Sequence, residues 1–315
     1  MKNHKTKTNN IKLGNLKLKN RIFLAPMNQI NDIAFRILCK KAGAALTYTG
    51  LLNPQTREKL FFQDKPAIQF ACNNIDGIKE FIKKYDKNIS LYDFNLGCPS
   101  PHAKQSKIGY FMINNTKAIE KILKEIKKYT KKPITLKIRK MPKHQTKAII
   151  KIAEKYCDAI GIHPRTQSQG YSGIPDLEFA RYVKKLINNS SKNLPIIYSG
   201  NINNKEQAES LLGEFDFIMI GRASFGNPSI FSDLTEKINK KNKIKKTKRI
   251  NFFDWLKLTK KINKKTYLSQ IKLQAINFTR NFKGSAKIRS QLSTAKSEKE
   301  ILDIMKGYYS SILST

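Results

Sequence analysis

Residues 92–100 read YDFNLGCPS. The stretch opens as a β-rich run and admits polar groups as it proceeds. It then breaks at Gly97 and Pro99, leaving Cys98 on the turn between them. A strand buried on both faces of a parallel sheet looks like this, with its chemistry gathered at the C-terminal end. Working outward, seven more runs share the pattern. Before it come 22–27 (IFLAPM), 45–49 (ALTYT) and 67–70 (AIQF). After it come 134–139 (ITLKIR), 159–165 (AIGIHPR), 195–200 (PIIYSG) and 217–222 (FIMIGR). Segments of helical periodicity separate the eight runs, and this alternation predicts an α/β fold, a (β/α)₈ TIM barrel.

The intervening segments carry their own start and stop signals. Asp32 is placed to cap 33–43 (IAFRILCKKAG), and Gly43 to end it in a left-handed conformation. Cys39 lies beside the apolar stripe of that helix and reads as core. In 119–129, Ile119, Ile122, Leu123 and Ile126 share one face. The pattern changes after about residue 236. Between 237 and 265 stand 13 basic residues against one acid, Asp254. The first part, 237–249, reads as a linker or a solvated helix. Beyond it, Tyr267, Ile271, Ala275 and Phe278 are expected on one helical face, with Lys272, Arg280 and Lys283 away from it. Gly284 then opens another helix with Lys287 and Arg289. The expected division is a polar tail over 1–10, a barrel over 11–242 and a small, basic, all-helical domain over 243–315.

The 315 residues carry 61 Lys plus Arg against 23 Asp plus Glu, a formal charge of +38. Such a field concentrates polyanions and points to a nucleic-acid partner. Compositional drift toward Lys, Asn and Ile would also raise the charge, but it does not explain the scarcity of acids. No apolar run approaches the roughly 18 residues of a membrane span, and the first ten residues are polar. A soluble, cytoplasmic, monomeric protein is expected. The four cysteines, at 39, 72, 98 and 157, form no C-x-x-C pair and no zinc spacing, so neither a disulfide framework nor a metal site is expected.

Cys98 is the conspicuous chemical residue. An ordinary thiol titrates at about 8.5, so a cysteine can donate a proton at neutral pH without an activating partner. A thiol that merely fills the core is the competing reading. His102, four residues on, reads as an exposed bystander. Lys137 and Arg139 alternate with apolar residues in LKIR and are expected to face the barrel interior, where unpaired charge is costly and an anion or electron-rich ligand is needed. His163 and Arg165 repeat the arrangement. Gly200-Asn201 and Gly221-Arg222 close the seventh and eighth runs, where this fold commonly binds phosphate. Neither a G-x-x-x-x-G-K-[ST] loop nor a G-x-G-x-x-G turn is present.

Over nearly its whole length the chain resembles the tRNA-dihydrouridine synthases. The resemblance rests on 24–49 (LAPMNQINDIAFRILCKKAGAALTYT), 94–100 (FNLGCPS), 136–139 (LKIR), 162–173 (IHPRTQSQGYSG), 198–202 (YSGNI) and 219–228 (MIGRASFGNP). The segment 278–292 (FTRNFKGSAKIRSQL) is similar to that family's C-terminal helical domain. The resemblance implies FMN at the barrel mouth, NADPH as electron donor and tRNA as partner. Carried over, Pro26, Met27 and Gln69 line the flavin ring, Lys137 contacts the ring's polar edge, His163 also contacts FMN, and Gly200, Asn201, Gly221 and Arg222 hold its phosphate. Asn95, Arg139 and Arg165 bind the uracil, and Cys98 is the general acid. The chain departs from the family after Cys98, where 104–113 (KQSKIGYFMI) holds only Gly109 in place of a glycine-rich run. An FMN-dependent dehydrogenase of a free pyrimidine is the alternative. The basic helical domain argues against it, because a free base needs no phosphate-binding annex.

Overall fold

Alternation within the eight runs decides which side chains fill the barrel. The structure, a computed structural model, describes residues 11–58, 60–235, 249–263, 266–280 and 284–313. Its strands are β1 (Ile22–Leu24), β2 (Leu46–Leu52), β3 (Ala67–Phe70), β4 (Leu91–Leu96), β5 (Ile134–Arg139), β6 (Ala159–His163), β7 (Ile196–Ser199) and β8 (Phe217–Ile220). They pair in parallel in chain order, and β8 returns to β1 to close the barrel. On β4, Tyr92, Phe94 and Leu96 join the layer shared with the helices, whereas Leu91 joins the interior cluster. By the two-residue period, Asp93 and Asn95 follow Leu91 inward. On β5, Ile134, Leu136 and Ile138 face the helices, leaving Thr135, Lys137 and Arg139 inside. The interior therefore grows more polar toward the C-terminal mouth. Its floor is apolar: Phe23 stacks on Phe217 with ring centroids 5.1 Å apart. Leu13, from an antiparallel hairpin of Lys12–Leu13 and Leu16–Lys17, belongs to the same cluster.

Several strands end earlier or later than their runs. β1 stops at Leu24 and β8 at Ile220, so Ala25, Pro26, Met27, Gly221 and Arg222 become mouth loops. β2 continues to Leu52 with a register irregularity between Tyr48 and Leu51, which brings Leu51 to the mouth.

The outer helices are α1 (Ile33–Lys41), α2 (Ile78–Tyr85), α3 (Pro101–Gln105), α4 (Thr116–Tyr129), α5 (Lys143–Tyr156), α6 (Leu177–Asn188), α7 (Lys205–Glu214) and α8 (Ile230–Thr235). Asp32 caps α1 by accepting from the Phe35 amide at 3.0 Å. Gly43 follows the helix at φ +117°. Cys39 is fully buried, and α4 buries Ile119, Ile122, Leu123 and Ile126.

The C-terminal region is all helical: α9 (Phe252–Ile262), α10 (Leu268–Phe278), α11 (Ser285–Thr294) and α12 (Glu298–Leu313). Its seam with the barrel centres on Asp32, which receives the Trp255 indole at 3.1 Å and Gln274 Nε2 at 2.7 Å. One expectation fails here. Tyr267 caps α10 instead of joining its buried face and is 65% exposed. It stands a residue before the helix, so the 3.6-residue period does not reach it. Ile271, Ala275 and Phe278 are buried as expected, and Gly284 in a left-handed conformation precedes α11. The tail 1–10, most of the basic stretch 237–249, the 242/243 boundary and Lys283 lie outside the described residues. Among the described residues no helix is long and apolar enough to cross a membrane.

Candidate active site

The C-terminal ends of the strands surround a cavity of about 650 Å³, within the usual range for small-molecule and cofactor sites. All thirteen residues singled out above line it: Pro26, Met27, Gln69, Asn95, Cys98, Lys137, Arg139, His163, Arg165, Gly200, Asn201, Gly221 and Arg222.

The cysteine turn is built by local hydrogen bonds. Asn95 Oδ1 accepts from the amides of Gly97 at 3.1 Å and Cys98 at 2.9 Å, folding the chain back at the strand end. Ser100 caps α3 by accepting from the Ala103 amide, and its hydroxyl also lies 3.4 Å from Cys98 Sγ. The thiol is half-buried, in contrast to the buried Cys39, Cys72 and Cys157. His102 is exposed. Gly109, the one glycine of 104–113, stands where it is required. Its φ is +62°, and a Cβ there would come within 2.9 Å of the Cys98 carbonyl.

Four cations, Lys137, Arg139, Arg165 and Arg222, reach the cavity, and no carboxylate lines it among the described residues. Two of them are occupied by backbone. Arg139 Nε donates to the Gly97 carbonyl at 2.7 Å, and its Nη1 to the carbonyls of Thr166 and Gly170. Arg165 donates to the carbonyls of Ser172 and Gly173 and to Asn201 Oδ1. Both are buried, so the expected interior placement holds, yet carbonyl oxygens supply most of their partners. Together they pin the loop 166–173.

That loop presents Tyr171, which sequence reasoning did not single out although it lies in the quoted 162–173. Its ring lies under the guanidinium groups of Arg139 at 5.3 Å and Arg222 at 5.7 Å, and 6.1 Å from the His163 ring. It remains 59% exposed, an aromatic at the rim of a cationic mouth.

Electrostatics here follow from burial and like charge. Burial, reinforced by Lys137, Arg139, Arg165 and Arg222, pushes His163 down to about 2, so its imidazole is neutral at physiological pH. Arg165 Nη1 lies 3.0 Å from His163 Nε2. Guanidinium can only donate, so Nε2 accepts and the ring proton sits on Nδ1. Burial and Arg139 lower the Lys137 ammonium to about 8, against the opposing pull of Asp93. Arg139 and Arg165 are also lowered, chiefly by burial.

The far side suits an anion's approach. Asn201 adopts the left-handed φ of +53°, a conformation that asparagine tolerates. The space a Cβ would fill at Gly221 has no atom nearer than the Ala25 Cβ at 3.9 Å, leaving the backbone open beside Arg222.

Fold and mouth together define a TIM barrel with a cationic cavity at the C-terminal ends of its strands and a thiol in the cavity wall. A family model described as dihydrouridine synthase matches residues 23–312. The chain is 31% identical to tRNA-dihydrouridine synthase B of Pasteurella multocida (strain Pm70), covering 73% of each chain. It is 31% identical to a probable tRNA-dihydrouridine synthase of Rickettsia bellii (strain RML369-C), covering 71% of this chain and 73% of the relative. With tRNA-dihydrouridine synthase B of Escherichia coli (strain K12) the identity is 30%, over 71% and 74%. A solved histamine dehydrogenase from Rhizobium sp. 4-9 aligns at 13% identity and a TM-score of 0.44, over 70% of this chain and 43% of that one. This chain belongs to the dihydrouridine synthase family.

Proposed function

We propose that this chain is a flavin-dependent oxidoreductase that reduces uridines of tRNA to dihydrouridine, acting as a cytoplasmic monomer with FMN bound and NADPH as external reductant. The observation that carries the reading is a mouth with four cations, one half-buried thiol and, among the described residues, no lining carboxylate. Arg139 and Arg165 are buried, Lys137 is half-buried and Arg222 is exposed at the rim, and such a cluster of like charges favours a ligand with negative charge.

The residues fit FMN. Arg222, the open backbone at Gly221, and Gly200 with Asn201 would hold the phosphate. Pro26 and Met27 would supply apolar surface to the ring, and Gln69, Lys137 and His163 polar contacts at its edge. FMN, when bound, supplies the hydride that reduces C6 of the uracil. Asn95, Arg139 and Arg165 would orient that base and offset charge developing on its carbonyl side. Cys98 holds the proton that C5 receives, and its thiolate is reprotonated from solvent. His163, neutral throughout, contributes a fixed dipole and no proton of variable charge.

The curated relatives quoted above carry tRNA in their names, and this chain's charge of +38 suits an RNA partner. A stacked base must leave its stack to enter such a cavity.

The test is dihydrouridine formed in unmodified tRNA by the purified protein with NADPH, beside Cys98→Ala. Product from the wild type, with turnover lower by about 10²–10⁴-fold in the variant, is expected for loss of a positioned acid. Untouched tRNA alongside reduction of a free pyrimidine would contradict the reading.

A further inference from the structure

The polar interior contains one carboxylate that the mechanism above does not use. Asp93, on β4, is 1% exposed and does not line the cavity. One of its oxygens accepts from the Thr135 hydroxyl and the other from Gln69 Nε2. Gln69 Oε1 in turn accepts from Asn95 Nδ2 at 2.7 Å. Asn95 Oδ1 then takes the amides of Gly97 and Cys98. A continuous chain thus runs from a buried carboxylate, through two carboxamides, to the turn that carries the thiol.

The two ends of this chain dictate its direction. A carboxylate only accepts, and backbone amides only donate. Each carboxamide between them has one donating and one accepting end. Reversing Gln69 would set its oxygen against a carboxylate oxygen and its NH₂ against that of Asn95. Reversing Asn95 would aim its NH₂ at two backbone N–H groups. Only one arrangement satisfies every member, and in a buried network each mismatch is costly. Strand register makes the chain possible, because Asp93 lies level with Gln69 on β3 and with Thr135 on β5.

We propose that Asp93 is a positioning residue: it fixes the direction of the Gln69–Asn95 carboxamide chain and thereby holds the turn that presents Cys98. The role of Cys98 as proton donor rests on the functional reading above, whereas the chain of contacts does not. Burial raises the carboxyl to about 6, opposed by Thr135, Gln69 and Lys137, so it is ionised at neutral pH, as the chain requires.

The test reads the thiol directly, by mass-spectrometric timing of Cys98 alkylation with iodoacetamide. It needs neither substrate nor cofactor, so failure of the functional reading leaves it intact. The other three cysteines are buried and serve as internal controls for folding. Gln69→Glu places a second carboxylate against Asp93, and the released turn should alkylate about tenfold faster, the equivalent of one lost hydrogen bond. Adding Asp93→Asn moves the carboxylate one position along the chain, where it accepts from carboxamides on both sides. The double variant should return to within about twofold of wild type, by the same hydrogen-bond count. Asp93→Leu should again speed alkylation. The proposal is overturned if the double variant alkylates as fast as Gln69→Glu, or if Asp93→Leu matches wild type. Two changes that merely destabilise the barrel would compound, so recovery separates direction-setting from bulk stability.

Discussion

Two buried arginine neighbourhoods in the same barrel behave in opposite ways. Arg36, on α1, meets Asp64 through two contacts of 2.8 Å and donates its remaining hydrogen bonds to the carbonyls of Asn31 and Phe61. Its charge is cancelled locally, and nothing further is required of it. At the mouth, Arg139 and Arg165 are hydrogen-bonded largely to neutral carbonyls, while Lys137 and Arg222 face the cavity beside them. Hydrogen bonding there is extensive, yet among the described residues no carboxylate lines the cavity to neutralise the charge. Satisfied geometry with charge that the buried Asp93 offsets only in part, at Lys137, distinguishes this mouth from a structural ion pair.

Asp64→Ala should produce the largest effect. It leaves Arg36 buried without its partner and should cost about 3–5 kcal/mol of stability, read by denaturant unfolding. A loss under about 1 kcal/mol would break the contrast, since single exposed pairs contribute no more. Arg222→Ala should do the reverse: stability preserved within about 0.5 kcal/mol, as expected outside a structural network. FMN affinity should fall about 10–100-fold, the worth of a charged hydrogen bond. Isothermal titration checks it.

A third, closed cluster sharpens the comparison. Asp32 accepts from the Phe35 amide, Trp255 and Gln274. Asp32→Asn replaces an accepting oxygen by a donor and should cost about 1–3 kcal/mol for the contacts left unmade. Trp255 is the chain's one tryptophan, so a red-shifted emission would locate the loosening at the seam. Unchanged emission would show that the seam does not depend on the carboxylate.

The last prediction is a pH dependence. His163 is held at about 2 in the folded protein against an ordinary 6.5 when unfolded. Below pH 6.5 the unfolded chain takes up a proton that the folded one refuses, so this residue's contribution makes stability fall as pH falls from 6.5 toward 2. Above 6.5 it adds no slope. His163→Gln should flatten the stability profile between pH 6.5 and 4, and an unaltered slope would show that the imidazole is not held neutral.

Most of the fold was readable because buried parallel strands announce themselves as apolar runs, each ending in polar residues. The mouth residues were readable for the same reason: Asn95, Lys137, Arg139 and His163 sit at the polar ends of their runs. What escaped depends on register across strands. Nothing in YDFN says that Asp93 will lie level with Gln69, 24 positions away, and Thr135, 42 away. Tyr171 escaped because its position under Arg139 and Arg222 is set by the loop that Arg139 and Arg165 pin, which no local pattern encodes. The same arginines were expected to need an anion for burial, and carbonyls from that loop meet much of the need.

The central claim, that the mouth's incompletely offset charge is kept for an anionic ligand, is tested most directly by titrating the flavin-free protein with FMN and with riboflavin. The two share a ring system and differ in the phosphate. FMN should bind at least about 100-fold more tightly, the equivalent of one or two charged hydrogen bonds, with most of that preference lost in Arg222→Ala. Equal affinity for the two flavins would contradict the account.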